Sequence, residues 1–201
     1  MKDGSGHRIV DRRQGSRSNG EMSTAGEQHD RITIVTGSAR GDGNTIAAVQ
    51  HLSEQLGMRP SIADLSSLTI APFEYGRYDN RDDFRAVIGM MLASEHVVFA
   101  TPVYWYSMAS PMKAFFDRLT DLLLDPVDRK IGRALAGRSV WLLTTGTDED
   151  MPAGFQEPFA RTAEYFGMVW RHAVYCRSVN GLPLTPEGLL GAEELARLIV
   201  S

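Results

Sequence analysis

ITIVTGSARGDGNTIAAVQHL, residues 32–52, decides how this chain is read. Its opening, Ile32–Val35, is a short, wholly β-branched run. That is the pattern of a short strand buried on both faces, as in a parallel sheet. From Asn44 to Leu56 apolar residues recur at helical spacing, and Gly57 stands where a helix C-cap is expected. Between strand and helix lies TGSARGDGNT, residues 36–45. A helix N-terminus presents unpaired N–H groups and a partial positive charge, which together favour an anion. Ser38, Asn44 and Thr45 add neutral hydrogen-bonding groups, and Arg40 adds a charged planar fork. Gly37, Gly41 and Gly43 allow backbone geometries that a Cβ hinders. A phosphate monoester would use all of these; a tight turn capped by Ser and Asn is the plainer alternative.

Three better-known phosphate and phosphatase motifs do not fit. The P-loop requires Gly-Lys-Ser/Thr, and this loop has no lysine. The dinucleotide fingerprint G-x-G-x-x-G is not met by glycines at 37, 41 and 43. A phosphatase-type cysteine would have to sit in the loop, and the sole cysteine of the chain is Cys176.

Outward from this stretch, strand-like and helix-like segments alternate. Ser61–Leu65 reads as a second, weaker strand. Asp82 and Asp83 cap a helix carrying Phe84, Val87, Ile88, Met91 and Leu92 on one face. Val97–Ala100 is a third strand, ended by Thr101-Pro102. Ser110-Pro111 supplies an N-cap and a first-turn proline to a helix that buries Met112, Phe115, Phe116 and Leu119. Ser139–Thr144 is the fourth strand, Phe155–Phe166 a helix closed by Gly167, Met168–Val174 the fifth strand, and residues 186–200 the last helix. The expectation is an α/β fold: an open five-stranded parallel sheet with five helices on its two faces. In the order 2-1-3-4-5, ligands bind beyond the carboxyl ends of the strands, where the order reverses. The loops at 37–44, 101–110 and 145–154 should carry the site.

Composition narrows the rest. The 201 residues suit one globular domain, and a net charge of −4 with no basic stripe argues against a nucleic-acid partner. One cysteine excludes an intramolecular disulfide and a cysteine-based zinc or iron–sulfur site, and a reducing cytoplasm is the simplest location. No apolar run is long enough to span a membrane. The five histidines (7, 29, 51, 96, 172) are scattered, so no metal is expected. In residues 1–30, Lys2, Arg8, Arg12, Arg13 and Arg17 balance Asp3, Asp11, Glu21, Glu27 and Asp30. With few apolar residues, this segment reads as a flexible arm, or an extension upstream of an internal start at Met22, before a domain at 31–201.

The second loop and its helix, TPVYWYSMASPMKAFFDRL at 101–119, place Tyr104, Trp105 and Tyr106 in succession at the sheet's carboxyl edge. They could border a flat heterocycle, pack as core, or line a subunit contact. Lys113 and Arg118 read as solvated positions, with Asp117 a local partner. In the third loop, TTGTDED at 144–150, Thr145, Gly146 and Thr147 offer small side chains and backbone donors. Asp148, Glu149 and Asp150 read as a solvated acidic rim rather than a metal site.

These motifs, G-S-x-R-x-x-G-N-T at 37–45 and T-P-V-Y-W-Y-S-M-x-S-P-M-K-x-F-F-D-R at 101–118, resemble the flavodoxin-like NADPH-dependent FMN reductase family. The resemblance implies a flavodoxin-like three-layer α/β/α sandwich and bound FMN. Ser38, Arg40, Asn44 and Thr45, around Gly43, would hold the phosphate. Pro102, Val103, Tyr104 and Trp105 would border the ring and ribityl chain, and Thr145, Gly146 and Thr147 the ring's polar edge. Related iron–sulfur flavoproteins carry a cysteine cluster where this chain reads IAPFEYGRYDNRDDF, residues 70–84, so no iron–sulfur relay is expected. With the chemistry on the flavin, no protein nucleophile is required, and none is assigned. The implied activity is an FMN-dependent NAD(P)H oxidoreductase, using NADH or NADPH to reduce a quinone, a nitro or azo compound, or free flavin. A flavodoxin-type electron carrier and a non-catalytic regulatory protein of the same fold are the alternatives; the modest acidity favours the enzyme. An exposed aromatic loop beside an open site also suggests a homodimer.

Overall fold

The computed structural model describes residues 32–75 and 81–201, so the arm expected at residues 1–30 lies outside the described residues. Strand β1 (Ile32–Thr36) lies between β2 (Ser61–Asp64) and β3 (His96–Tyr104), parallel to both. Val35 faces Ala63 in one neighbour and Phe99 in the other. With pairing on both edges and helices on both faces, all five β1 residues are buried. Next to β3 runs β5 (Ser139–Gly146), and beyond it β6 (Val169–Arg177), again parallel. The order β2-β1-β3-β5-β6 is the expected 2-1-3-4-5, with a two-residue strand β4 (Ser107–Met108) added antiparallel to the end of β3.

Side-chain alternation sends the strands' apolar residues into two cores. Ile32, Ile34, Val98, Ala100 and Leu143 pack with Ala48, Val49 and Leu52 of α1 (Asn44–Gln55) and with Ala192, Leu195 and Ile199 of α6 (Pro186–Val200). Val35, Val97, Phe99, Val140 and Leu142 pack the other way. They meet α2 (Phe84–Ala93), α3 (Ser110–Arg118) and α5 (Glu157–Tyr165) through Met91, Phe115 and Phe159. The result is the three-layer sandwich anticipated.

The structure corrects several local readings. Strand β3 does not end at Thr101-Pro102; it runs to Tyr104, because β5 continues beside it (Thr101↔Thr144, Pro102↔Thr145) and β4 closes a hairpin on it. Ser110 is not the N-cap of α3. Ala109 holds that position, and its N–H donates to the Thr101 hydroxyl at 3.2 Å. A sixth helix, α4 (Pro126–Arg133), follows a 3-10 turn at Leu119–Leu123; the Asp125 carboxylate caps it, accepting from the N–H groups of Val127 and Asp128.

Arg118, read as a solvated position, is buried. Its Nε donates to Asp121 at 2.7 Å and its Nη1 to the Ala71 carbonyl at 3.0 Å and to Asp82, while the guanidinium stacks 4.9 Å from the Phe84 ring. Burial works against its charge, but the two carboxylates outweigh burial and raise its pKa. Asp82 and Asp83 in turn accept from the N–H groups of Ala71 and Thr69. This buried network ties the segment between β2 and α2 to the end of α3. Lys113 is exposed and paired with Asp117 at 2.6 Å, as expected.

Candidate functional site

The ends of β1, β3 and β5 converge on a cleft of about 310 Å³ at the carboxyl edge of the sheet. The first loop forms one end. Gly37 is there for space: a Cβ would lie 2.7 Å from Met112 Cβ and 2.8 Å from Met112 N. Its N–H donates to the Ala100 carbonyl at 2.8 Å and its carbonyl accepts from Thr101 Oγ1 at 3.0 Å, so the loop is fixed to β3. Gly41 and Gly43 have no such constraint; neither has a positive φ, and the nearest atoms to a Cβ on Gly43 are Arg40 Nη2 and Ser38 Oγ at 3.9 Å. That Cβ would therefore point into the space between the two polar groups that line the cleft. Helix α1 begins just behind them, with Gly43 as its N-cap and no side-chain cap hydrogen bond. Its first N–H groups are thus left for an external acceptor.

Asn44 and Thr45 also line the cleft, but both side chains serve the frame as well. Thr45 Oγ1 lies 2.8 Å from Thr145 Oγ1, a buried link between the first and third loops. Asn44 Nδ2 donates to the Leu182 carbonyl at 3.0 Å. The Thr36 hydroxyl, one residue before the loop, is buried with no hydrogen-bond partner among the described residues.

From β3, Pro102, Val103 and Tyr104 line the cleft. Thr101 anchors this wall: its hydroxyl binds Gly37 and its carbonyl accepts from Thr144 Oγ1 at 2.8 Å. Trp105 and Tyr106 form the turn between β3 and β4, both with positive φ (50° and 64°), as a type I′ hairpin turn requires. Asn and Gly adopt this geometry readily; bulky residues rarely do. The two rings stand outward, 94 % and 72 % exposed, and Trp105 does not line the cleft.

Thr145, Gly146 and Thr147 form the opposite wall. At Gly146 a Cβ would fall 2.5 Å from Tyr175 Oη, so any other residue would push the tyrosine ring aside. That hydroxyl donates to the Asp148 carbonyl at 3.1 Å and so holds the start of the acidic rim. Two lining residues escaped the sequence reading: Ser178 and Gly181, from the loop after β6. Ser178 N–H donates to the Gly146 carbonyl at 2.8 Å, which folds this loop back over the cleft. The Asn180-Gly181 pair, both at positive φ, was the available sequence signal.

No group of His, Cys, Asp and Glu among the described residues has metal-binding geometry. Cys176 is buried beside α6, and burial pushes its thiol up to about 11, so it is a thiol and not a nucleophile at neutral pH. A larger hollow of about 390 Å³, between Leu122 and Tyr165, gathers no loop from a strand end. No described helix is long and apolar enough to cross a membrane.

Comparison with known proteins gives a family and a fold. The model of the NADPH-dependent FMN reductase family matches residues 31–179. The Bacillus subtilis protein YwqN, named as an NAD(P)H-dependent FMN-containing oxidoreductase, is 24 % identical over 149 residues, covering 70 % of this chain and 81 % of that one. Among solved structures, the Trp repressor binding protein from Bacillus subtilis superposes with a TM-score of 0.65 at 21 % identity, over 82 % of this chain and 99 % of that one. An FMN-dependent NADH-azoreductase from Bacillus anthracis, in complex with FMN, gives 0.60 at 10 % identity, over 85 % and 99 %. At these identities the structural likenesses concern the fold alone.

Proposed function

The chain belongs to the NADPH-dependent FMN reductase family, and from that premise we propose how this FMN-dependent NAD(P)H oxidoreductase works. FMN is held in the cleft at the ends of β1, β3 and β5, and electrons pass from a reduced nicotinamide to a small flat acceptor. Acceptors of this kind are a quinone, a nitro or azo compound, or free flavin. One observation carries the reading. The cleft's one end is an uncapped helix N-terminus with Arg40 and Ser38 beside it, and its other walls are uncharged.

The residues fit the cofactor. A Cβ on Gly43 would occupy the cradle between Ser38 and Arg40, which favours glycine at that position if a phosphate sits there. Arg40 offers charge-assisted hydrogen bonds, Ser38 a hydroxyl, and α1 its first N–H groups. Asn44 contributes chiefly through its backbone, since its amide is bound to Leu182, and Thr45 latches this end to Thr145. Pro102 and Val103 supply an apolar wall that excludes water, and Tyr104 extends it to the mouth. Thr145, Gly146 and Thr147 present polar groups to the opposite edge, where donors steady negative charge. FMN supplies the redox chemistry itself, accepting a hydride and passing electrons on. Trp105, outside the lining, is assigned to the mouth rather than to the cofactor's bed.

A homodimer accords with the exposed apolar groups around the mouth: Trp105 and Tyr106 on one side, Val179 and Leu182 on the other. The cytoplasm accords with a single, buried, reduced cysteine. The test is an anaerobic absorbance titration of the FMN-loaded protein with NADH and NADPH, followed by a panel of acceptors. Bleaching of the flavin and its recovery on adding an acceptor are expected. Bound FMN that neither nicotinamide reduces would point to an electron carrier instead.

A further inference from the structure

We infer that residues 178–182 form a strap across the phosphate end of the cleft, with the Asn44 side chain as the latch that sets how fast FMN enters and leaves. This rests on the flavin reading above. The first and third loops of the site are joined twice. Inside, Thr45 Oγ1 meets Thr145 Oγ1 at 2.8 Å, a buried link. Outside, the chain leaving β6 crosses between the same two loops. Ser178 N–H donates to the Gly146 carbonyl at 2.8 Å, and the Leu182 carbonyl accepts from Asn44 Nδ2 at 3.0 Å. Asn44 is the first residue of α1, so this outer tie stands at the end where the phosphate is placed. Ser178 and Gly181 line the cleft from the strap.

Few contacts hold the strap shut. Val179–Leu182 is a tight turn, closed by the Leu182 N–H on the Val179 carbonyl at 3.0 Å, with Asn180 and Gly181 at φ of 54° and 71°. Two positive φ values in succession suit Asn-Gly better than any other pair. Val179 and Leu182 are 52 % and 60 % exposed, so the turn itself buries little. Its ends are fixed: Ser178 is buried, and Leu184 packs against the core beside α6. A short segment tied by hydrogen bonds near solvent opens locally at small cost. Its outer half, from Asn180, lies beyond the residues that the family model matches.

The latch joins two protein groups and makes no demand on the cofactor. Opening precedes both entry and exit, so weakening the latch multiplies both rate constants by one factor and leaves their ratio, Kd, nearly unchanged. A residue that grips the phosphate behaves otherwise, because its loss raises the exit rate and weakens affinity. Loss of one ordinary hydrogen bond makes the factor about 2- to 10-fold for Asn44→Ala. Gly181→Ala weakens the strap from its other side. A Cβ there meets open space, so the substitution disturbs only the positive φ, and the factor is about 5- to 30-fold.

The test is stopped-flow flavin fluorescence of the full chain mixed with FMN at several concentrations. The slope of the observed rate against concentration gives the entry rate constant, and the intercept gives the exit rate constant. Both should rise together in Asn44→Ala and in Gly181→Ala, whereas Arg40→Ala should raise chiefly the exit rate. If Asn44→Ala does not fold, Gly181→Ala decides alone. Rates that are unchanged or lower in either folded strap variant overturn the inference, as does an exit rate raised without the entry rate. A wild-type chain that takes up no FMN overturns the flavin reading and this one with it; one that takes up FMN, with any of those results in the variants, overturns this one alone.

Discussion

Gly37→Ala is the substitution that the fold should tolerate least at the edge of the cleft. Gly37 has no positive φ, so alanine is allowed conformationally, and the penalty is one of space. The new methyl would meet Met112 Cβ at 2.7 Å, its N at 2.8 Å and its Cα at 2.9 Å. Two of these atoms are backbone, so no rotamer change relieves the overlap; the first turn of α3 must move by about 1 Å, an overpacking that costs about 1–3 kcal/mol. Movement also loosens Gly37 N–H to Ala100 at 2.8 Å and Thr101 Oγ1 to Gly37 at 3.0 Å. At about 1 kcal/mol for each bond, the total is about 3–5 kcal/mol, less up to about 1 kcal/mol returned by the stiffer unfolded chain. For a domain of this size that is a drop in Tm of about 5–15 °C. Gly43→Ala is the matched control, since its nearest atoms lie at 3.9 Å. It should melt within about 2 °C of wild type, yet bind FMN more weakly because its methyl fills the cradle. The assay is thermal unfolding followed by circular dichroism, with a flavin titration of each variant. A Gly37→Ala protein as stable as wild type would refute the packing argument, and a Gly43→Ala protein of unchanged FMN affinity would refute the cradle.

Three further outcomes are expected. The Cys176 thiol has its folded pKa raised from 9.0 to about 11, so it costs nothing below pH 9 and destabilises the fold as pH rises from 9 to about 11. The loss is about 2–3 kcal/mol, and chemical denaturation of Cys176→Ala should lack this part of the alkaline slope. Replacing the strained turn by W105N/Y106G should stabilise the protein by about 1–2 kcal/mol, because both exposed rings now hold positive φ; equal or lower stability would show the turn to be unstrained. Arg138 donates to the carbonyls of Met91, Leu92 and Ala134, at the ends of α2 and α4. Arg138→Met should cost about 2 kcal/mol in the same denaturation assay, with FMN affinity unchanged.

The βα order was legible because β1, β3 and β5 hold compact β-branched or apolar runs and each main helix has an apolar stripe, although β2 and β6 mix polar residues in. The cleft was legible because topology assigned three loops to one edge, and eleven of the twelve expected residues line it: all except Trp105. What escaped was held by contacts that leave no periodic trace. Helix α4 buries Asp128 and Gly132 while Val127 is exposed, which leaves Ile131 as its apolar side chain against the core and no apolar stripe to read. A Cβ on Gly132 would lie 3.2–3.3 Å from Leu122 and Phe166, a closeness that only the tertiary structure sets. Asp125-Pro126 was nevertheless a cap-and-proline start signal. The β3–β4 hairpin turns on Trp-Tyr instead of Asn-Gly, so turn chemistry could not announce it. The loop after β6 reaches the cleft through the backbone groups of Ser178 and Leu182, which carry no side-chain signature. Arg118 reads as one more helix-surface arginine until its two aspartates, 36 residues before it and three after, are brought together around it.

The central claim is that the cradle formed by Ser38, Arg40 and the start of α1 holds the phosphate of FMN. A flavin-fluorescence titration of the full chain, wild type beside Arg40→Ala, tests it most directly. The account predicts saturable uptake of one FMN per chain and an affinity lowered in the variant by about 10- to 150-fold, the equivalent of about 1.5–3 kcal/mol, with unchanged circular dichroism. No FMN uptake by the wild-type protein, or equal affinity in the two proteins, would contradict it.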